Sequence, residues 1–233
     1  MKYYYDLHIH SVLSACADVL MTPNNIFNMA NLKGLNIISV TDHNSLKQLK
    51  TLYEISNSYD MLFIPGVEIS TKEGFHILSY FKNINDALNF DVLLENYVDK
   101  QRYDQEKYGV QQITDIHDEI IDEYPFLLSK NLNLSLNDLV NLLKNTDHIL
   151  VYAHIDRKSN SGIKVVHQIK LDAIELTKNY HQTFLKDHNL NHFKNLINSD
   201  AHQLTDILEK NEFNQIELDS LTIEAFFKYF KNG

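Results

Sequence analysis

Apolar residues fall along this chain in short runs separated by longer stretches with helical spacing. Residues 3–9 read as a strand. Thr22 stands where a helix N-cap belongs, with Pro23 at the first helical position, a helix running to about Lys33, and Gly34 as its C-terminal cap. The β-rich residues 36–41 read as a buried strand, 45–58 as a helix, and 61–69 and 75–81 as further strands. Later strands are predicted at 148–153, 172–176, 193–198 and 215–218, with helices between them. Strands separated by helices predict an α/β chain with a mainly parallel sheet, open or closed. Residues 84–145 break the rhythm: they are polar and mostly helical in pattern. They are predicted to form a helical insertion within a single domain spanning 1–233, with Asp115, Asp118, Glu119, Asp122 and Glu123 on a solvated face.

Composition narrows the class. A chain of 233 residues that is 44% apolar can bury a sizeable core, and 6 glycines with 3 prolines are too few for a loop-rich all-β protein. The net charge of −10 argues for a small phosphorylated partner over duplex nucleic acid or an anionic membrane, since phosphate binding needs clustered Lys and Arg. Bound divalent cations would reverse that balance locally. The single cysteine, Cys16, excludes an intrachain disulfide. With no signal-like apolar run at the start and no spanning stretch, a cytoplasmic protein is expected.

The candidate chemistry lies at the strand ends, where parallel α/β folds gather their functional groups. Six of the 12 histidines fall at or just after predicted strand ends. In Asp6-Leu7-His8-Ile9-His10 the strand period of two puts both imidazoles on one face and Leu7 and Ile9 on the other. Two imidazoles on one face suit a metal ion. The strand ending at Val40 leads into Thr41-Asp42-His43, with His43 a candidate ligand and Asp42 an orienting group or a helix cap. Glu68 ends an apolar strand, a costly place for a carboxylate unless it is paired or metal-bound. His76 sits inside another apolar strand, where a hydrogen-bonded core histidine would look the same. His154, and Asp200 with His202 at i, i+2 spacing, complete the pattern. Independent core histidines would not all gather at the same end of successive strands. Mixed imidazole and carboxylate donors suit Zn²⁺, Mn²⁺ or Fe²⁺, and there are more donors than one ion can use.

The order His-x-His, Thr-Asp-His, Gly-Val-Glu, lone His, Ala-His, Ser-Asp-Ala-His resembles the PHP (polymerase and histidinol phosphatase) superfamily, with motifs from His8 to His202. The resemblance implies a distorted seven-stranded β/α barrel with two or three divalent metal ions at the strand C-terminal ends. Carried over by motif, His8, His10, Glu68 and Asp200 would hold one metal, and His43 and His202 a second with an aspartate from the loop after the first histidines. Glu68, His76 and His154 would hold a third. The family often shows Ser-Asp-Gly in that loop. Here Ser14 is followed by Ala15-Cys16-Ala17-Asp18, so Asp18 is the expected ligand; Cys16 could bind a metal instead, but is read as a small packing residue.

Such a cluster implies hydrolysis of a phosphate ester by a metal-activated water, on a small metabolite, a nucleotide or a short oligonucleotide. Arg157 is the candidate clamp for a phosphate oxygen. Two other readings remain open from sequence. One is an amidohydrolase-like C–N hydrolase, which would want a bridging lysine where Glu68 stands. The other is a non-catalytic PHP-like binding module, which would show lost ligands.

Overall fold

The computed structural model describes residues 1–231. In chain order the elements are β1 (Lys2–Ile9), α1 (Pro23–Leu32), β2 (Ile37–Val40), α2 (Leu49–Ser56), β3 (Leu62–Phe63), β4 (Gly66–Ser70) and β5 (His76–Phe81). There follow α3 (Ile84–Leu94), α4 (Gln105–Tyr108), β6 (Gln112–Thr114), β7 (Ile120–Glu123), α5 (Leu136–Leu143) and β8 (His148–Tyr152). The remainder are β9 (Ala173–Thr177), α6 (Phe184–Asp187), β10 (Asn195–Asn198), β11 (Gln215–Glu217) and α7 (Ile223–Lys231).

Among the described residues the strands form two larger sheets and a hairpin, not the continuous seven-stranded barrel expected. One sheet has the order β11-β1-β2-β3 and the other β10-β9-β8-β5-β4. The two meet through single bridges, Ile9 with Ala201 and His43 with Glu68. Pairing is parallel for β1-β2-β3 and β8-β9-β10, but antiparallel where β5 lies between β4 and β8. Pro65 gives the physical reason for one break. It has no N–H for a ladder, so the strand expected over 61–69 divides around it. The first half becomes an edge of one sheet and the second half an edge of the other.

Two apolar clusters sit on opposite sides of the strands. The inner one gathers Tyr5, Leu7, Ile37, Leu78, Tyr80, Ile149, Val151, Ala173 and Leu196, with Phe226, Phe227 and Phe230 of α7 packed against it. The larger one joins Ile9, Ile38, Val40, Val67, Ile69 and Ile77 to the buried faces of α1, α2, α3 and α5. Strict alternation would have put Leu7 and Ile9 together, but they fall in different clusters. The pairing of β1 with β2 shifts register between Asp6 and Ile9, and that irregularity re-aims the end of β1.

Residues 84–145 are less helical than their sequence pattern predicts. They carry three helices and the antiparallel hairpin β6–β7. The acidic residues make the turn of that hairpin. Asp115 accepts the amides of His117 and Glu119, and Asp118 adopts a left-handed φ of 62°. Asp118 also accepts hydrogen bonds from Thr22 and Asn24 at the start of α1, so it braces the fold instead of facing only water.

Gly66 on β4 packs closely against β2 of the other sheet and against Tyr80 of its own. A Cβ there would stand 2.5 Å from Ser39 Oγ, 2.9 Å from Thr41 Cγ2 and 2.9 Å from Tyr80 Cδ1. Gly66→Ala is expected to cost about 1–3 kcal/mol through overpacking. Thermal unfolding should register this as a Tm fall of about 2–4 °C per kcal/mol; an unchanged Tm would mean the sheets are not in this contact.

Candidate metal centre

Asp6 anchors the floor of the site. It is fully buried and accepts from the Ser199 amide (3.2 Å), the Ser199 hydroxyl (2.6 Å) and the Leu208 amide (2.9 Å). Burial pushes its carboxyl up to about 6, against those hydrogen bonds. These bonds tie the turn after β10 to β1. His10 N–H donates to the Ala201 carbonyl and Ala201 N–H to that of His8. Asp200 is held there at a φ of 53°, and His154 after β8 at 28°, both in the left-handed region. Such backbone costs of order 1–3 kcal/mol and persists only where surrounding contacts fix it. For His154 the contact is its amide donating to Glu175 Oε2 at 2.6 Å.

Above this floor, His8 and His10 turn their rings toward each other. His8 Nδ1 lies 2.9 and 3.1 Å from the two oxygens of Glu175, an acceptor, so that nitrogen carries a proton. His10 Nδ1 lies 3.0 Å from Ser14 Oγ, whose own proton goes to Asp42 at 2.7 Å, so His10 Nδ1 is also the donor. Both Nε2 atoms are therefore left facing inward, 3.2 Å apart. Asp200 Oδ1 stands 3.2 and 3.1 Å from them, and Glu68 oxygens 3.3 and 3.4 Å. Two imidazole lone pairs and two carboxylates cannot converge this closely unless a positive charge stands among them.

Glu68 is the centre of this arrangement. On β4, 1% exposed, it has His43 Nδ1 and His76 Nδ1 each at 2.8 Å and His154 Nε2 at 3.1 Å. Burial works to raise its pKa, but His76, His8 and His43 together hold it well below the ordinary carboxylate range. Burial and the neighbouring rings of His202 and His43 push His10 well below the usual imidazole value. Burial also opposes charge on His8 and His43. The Glu175, Asp200 and Glu68 carboxylates nevertheless hold His8 well above the usual imidazole value. Glu68 foremost raises His43 to about 10. In the metal-free cluster, protons on these rings supply the positive charge that a cation would otherwise bring, and binding must displace them.

Unsatisfied atoms supply the test of fit. Among the described residues Glu68 Oε2, His43 Nδ1, His154 Nδ1 and Asp200 Oδ1 are buried without a hydrogen-bond partner. Glu68 Oε2 and His43 Nδ1 lie close, yet not at a hydrogen-bonding angle. Donor atoms that could hold a metal lie within 4.8 Å of one another in three groups: His8, His10 and Asp200; His10, His43 and His202; His43, Glu68 and His76. The donor set fits divalent transition metals. The other seven histidines, His117, His148, His154, His167, His181, His188 and His192, belong to none of these groups, although His154 Nε2 lies 3.1 Å from Glu68 Oε1.

Asp18 does not join them. Its carboxylate is exposed and accepts the Leu20 amide at 2.8 Å, closing a local turn. Cys16, expected to pack, is instead exposed. Asp42 accepts hydrogen bonds from Ser11 and Ser14, and through Ser14 it reaches His10 Nδ1. Arg157 reaches Asp200 Oδ2 at 2.6 Å with its side chain 41% exposed.

Sequence reasoning passed over Glu175, which orients His8, binds the His154 amide and accepts from Asn198 Nδ2 at 2.8 Å. The signal was present: Ala-Ile-Glu-Leu-Thr buries a lone carboxylate in an apolar strand, as β4 does with Glu68.

Comparison with solved structures places this architecture. Endonuclease Q from Pyrococcus furiosus superposes with a TM-score of 0.73 and 24% identity, over 100% of this chain and 56% of that one. Endonuclease Q in complex with a 27-mer duplex carrying an abasic lesion gives 0.72 and 24%, over 100% and 57%. A two-domain Bacteroides vulgatus protein containing a predicted PHP-like metal-dependent phosphoesterase gives 0.56 and 17%, over 100% and 63%. The fold is shared with these proteins. No protein-family model matches the sequence. A Methanocaldococcus jannaschii protein of uncharacterised function is 30% identical over 86 residues, 34% of this chain and 50% of that protein. A Haemophilus influenzae 5'-3' exoribonuclease is 31% identical over 90 residues, 37% of this chain and 29% of that protein. The chain thus spans half or less of the curated relatives it matches.

These PHP-fold neighbours correct one expectation. Duplex nucleic acid was excluded on net charge, yet endonuclease Q engages a duplex. Net charge sums the whole surface, whereas phosphate contacts are local. Here Arg157, Lys158 and Lys178 are exposed just beyond the C-terminal ends of β8 and β9, on the side where the cluster lies. No helix is long and apolar enough to cross a membrane among the described residues.

Glu175→Gln keeps the shape but replaces one acceptor oxygen by an amide donor. Loss of an outer carboxylate partner is expected to weaken metal binding by about 10–100-fold. A competition titration with a chromophoric chelator measures this; unchanged affinity would remove Glu175 from the site.

Proposed function

We propose that this chain is a metal-dependent phosphoesterase acting on a nucleotide or oligonucleotide phosphate. The observation that carries this reading is the convergence of His8 and His10 Nε2 on Glu68 and Asp200 oxygens, all contacts between 3.1 and 3.4 Å. His8, His10, Glu68 and Asp200 would hold one divalent ion. His43 and His202 belong to a second site, and Glu68, His76 and His154 to a third, within a barrel-like arrangement of the two sheets. Bound there, such ions lower the pKa of water and neutralise charge on a phosphoryl group. The retention of every motif histidine speaks against a purely structural module, and Glu68 occupies the place a bridging lysine would need.

The remaining work falls to the chain. Glu175 and the Ser14–Asp42 pair fix the tautomers of His8 and His10, so both present lone pairs inward. Arg157 is held beside Asp200 and can turn the N–H edge of its guanidinium to a phosphate oxygen. Lys158 and Lys178 extend the positive rim along which a strand's further phosphates would lie. The likeness to endonuclease Q and the partial match to an exoribonuclease support a nucleic-acid substrate. Those proteins are longer, and their own substrates belong to them.

Chelation should abolish hydrolysis of bis(p-nitrophenyl) phosphate and added Mn²⁺ should restore it. A panel of mononucleotides, single-stranded oligonucleotides and an abasic-site duplex would then identify the substrate. Full activity after complete metal removal would overturn the reading. Arg157→Ala should raise KM or lower kcat at unchanged metal content. A surface ion pair alone, worth about 0–1 kcal/mol, would leave the kinetics unmoved.

A further inference from the structure

The residue after the proposed ligand His43 joins three segments of the chain. Asn44 is buried and left-handed, with a φ of 51°. Its N–H donates to the Glu68 carbonyl at 2.8 Å, and the Glu68 N–H to the Asp42 carbonyl at 3.1 Å, so the turn runs beside β4 for one bridge. The left-handed backbone then carries the chain away from β4. There the Asn44 side-chain oxygen takes up the next rung, accepting the Ser70 N–H at 2.8 Å. Asparagine visits this backbone more readily than most residues with side chains, and glycine, which adopts it freely, has no side-chain oxygen to offer.

The other end of the same amide faces the insertion. Asn44 Nδ2 donates to the carbonyls of Leu128 and Lys130, at 2.6 and 2.8 Å. Just beyond them the Leu132 N–H donates to the Ser70 carbonyl at 2.8 Å, so this segment lies along the open edge of β4. The amide fits only one way round, its oxygen toward an N–H and its nitrogen toward two carbonyls. The rest of the turn is tied to the insertion separately. Asp91 of α3 accepts the Leu46 N–H at 2.7 Å, and Gln48 exchanges two 3.0 Å hydrogen bonds with the Thr114 backbone. Asn44 is the tie that adjoins a donor of the cluster.

We propose that Asn44 is a positioning residue that fixes His43 against Glu68 and makes that placement depend on residues 84–145. This rests on the metal-centre reading above. His43 enters two of the three donor groups, with His10 and His202 and with Glu68 and His76, whereas His8, His10 and Asp200 meet without it. Its Nδ1 stands 2.8 Å from Glu68 Oε2. Without the Asn44 amide the turn loses both the Ser70 rung and the two insertion carbonyls, and His43 loses its fixed approach to Glu68. The effect is selective: ions that need His43 are weakened, and the ion at His8, His10 and Asp200 is not.

Zn²⁺ titration of the full chain against a chromophoric chelator tests this, with His43→Ala marking the binding steps that depend on His43. Asn44→Gly accepts the left-handed backbone but makes none of the side-chain bonds. It should weaken those steps about 10–100-fold, as loss of a ligand's outer partner does, and leave the remaining step unchanged. In a His43→Ala background the same substitution should change nothing, whereas a general loosening of the fold would act in both backgrounds. Asn44→Asp is isosteric and keeps the Ser70 acceptor, yet cannot donate to the insertion carbonyls. It should reproduce the loss, and it carries the test should Asn44→Gly unfold. Full affinity in either variant, or equal losses with and without His43, would overturn the positioning role and leave the metal centre standing. Zn²⁺ binding that is absent, or indifferent to His43→Ala, would overturn both.

Discussion

A carboxylate buried without water must be met by positive charge, and Glu68 sets that demand for the whole molecule. Burying an uncompensated carboxylate is prohibitive, so the fold has to deliver cations or donors to it from several directions at once. β1 brings His8 and His10, the turn after β2 brings His43, β5 brings His76 and the turn after β8 brings His154. The path of β4 follows from this. Pro65 releases the chain from one sheet, Gly66 lets it pass against Ser39 and Tyr80, and Glu68 then pairs with His43 across the seam. The bottom of the same interior is closed by the phenylalanines of α7, leaving the polar end as the one open to chemistry.

Around the histidines lies a second set of buried acids whose task is orientation. Glu175 addresses His8, Asp42 addresses His10 through a serine, and Asp6 holds the turn that carries Asp200. Their effect is to settle which ring nitrogen bears hydrogen before any ligand arrives. The left-handed backbone at His154 and Asp200 belongs to the same economy of placement: side chains leave the strand ends at angles that regular β structure does not offer.

Much of this was legible in the sequence where a residue's role depends on its own strand. The i, i+2 spacing of His8 and His10, the terminal histidine of Thr-Asp-His and the isolated Glu68 all came to one place. What escaped was decided by pairing between distant segments. The register shift in β1 separated Leu7 from Ile9, and Pro65 divided a strand that apolar content alone would have kept whole. The hairpin at 112–123 was hidden because its acids suggested a solvated helix, whereas Asp115 and Asp118 serve a turn. Asp18 turned outward because a turn's direction is set by its anchors, here Ser14 and His202, and not by the residue it is expected to present. Glu175 was overlooked although it carried the same mark as Glu68.

Gly109 has a reach that its position in a surface segment conceals. With a φ of 91°, it lies so close to the loop carrying Cys16 that a Cβ would fall 2.3 Å from the Ala15 carbonyl oxygen, and the neighbouring Gln112 amide donates to Val12. Residues 84–145 thus act as a shim pressed against the rim of the active end. Because the contact is backbone to backbone, it is blind to the chemistry of the side chains it supports. Evolution can therefore adjust the thickness of the shim, and with it the stance of the loop, while every strand-borne donor stays where the sheets put it.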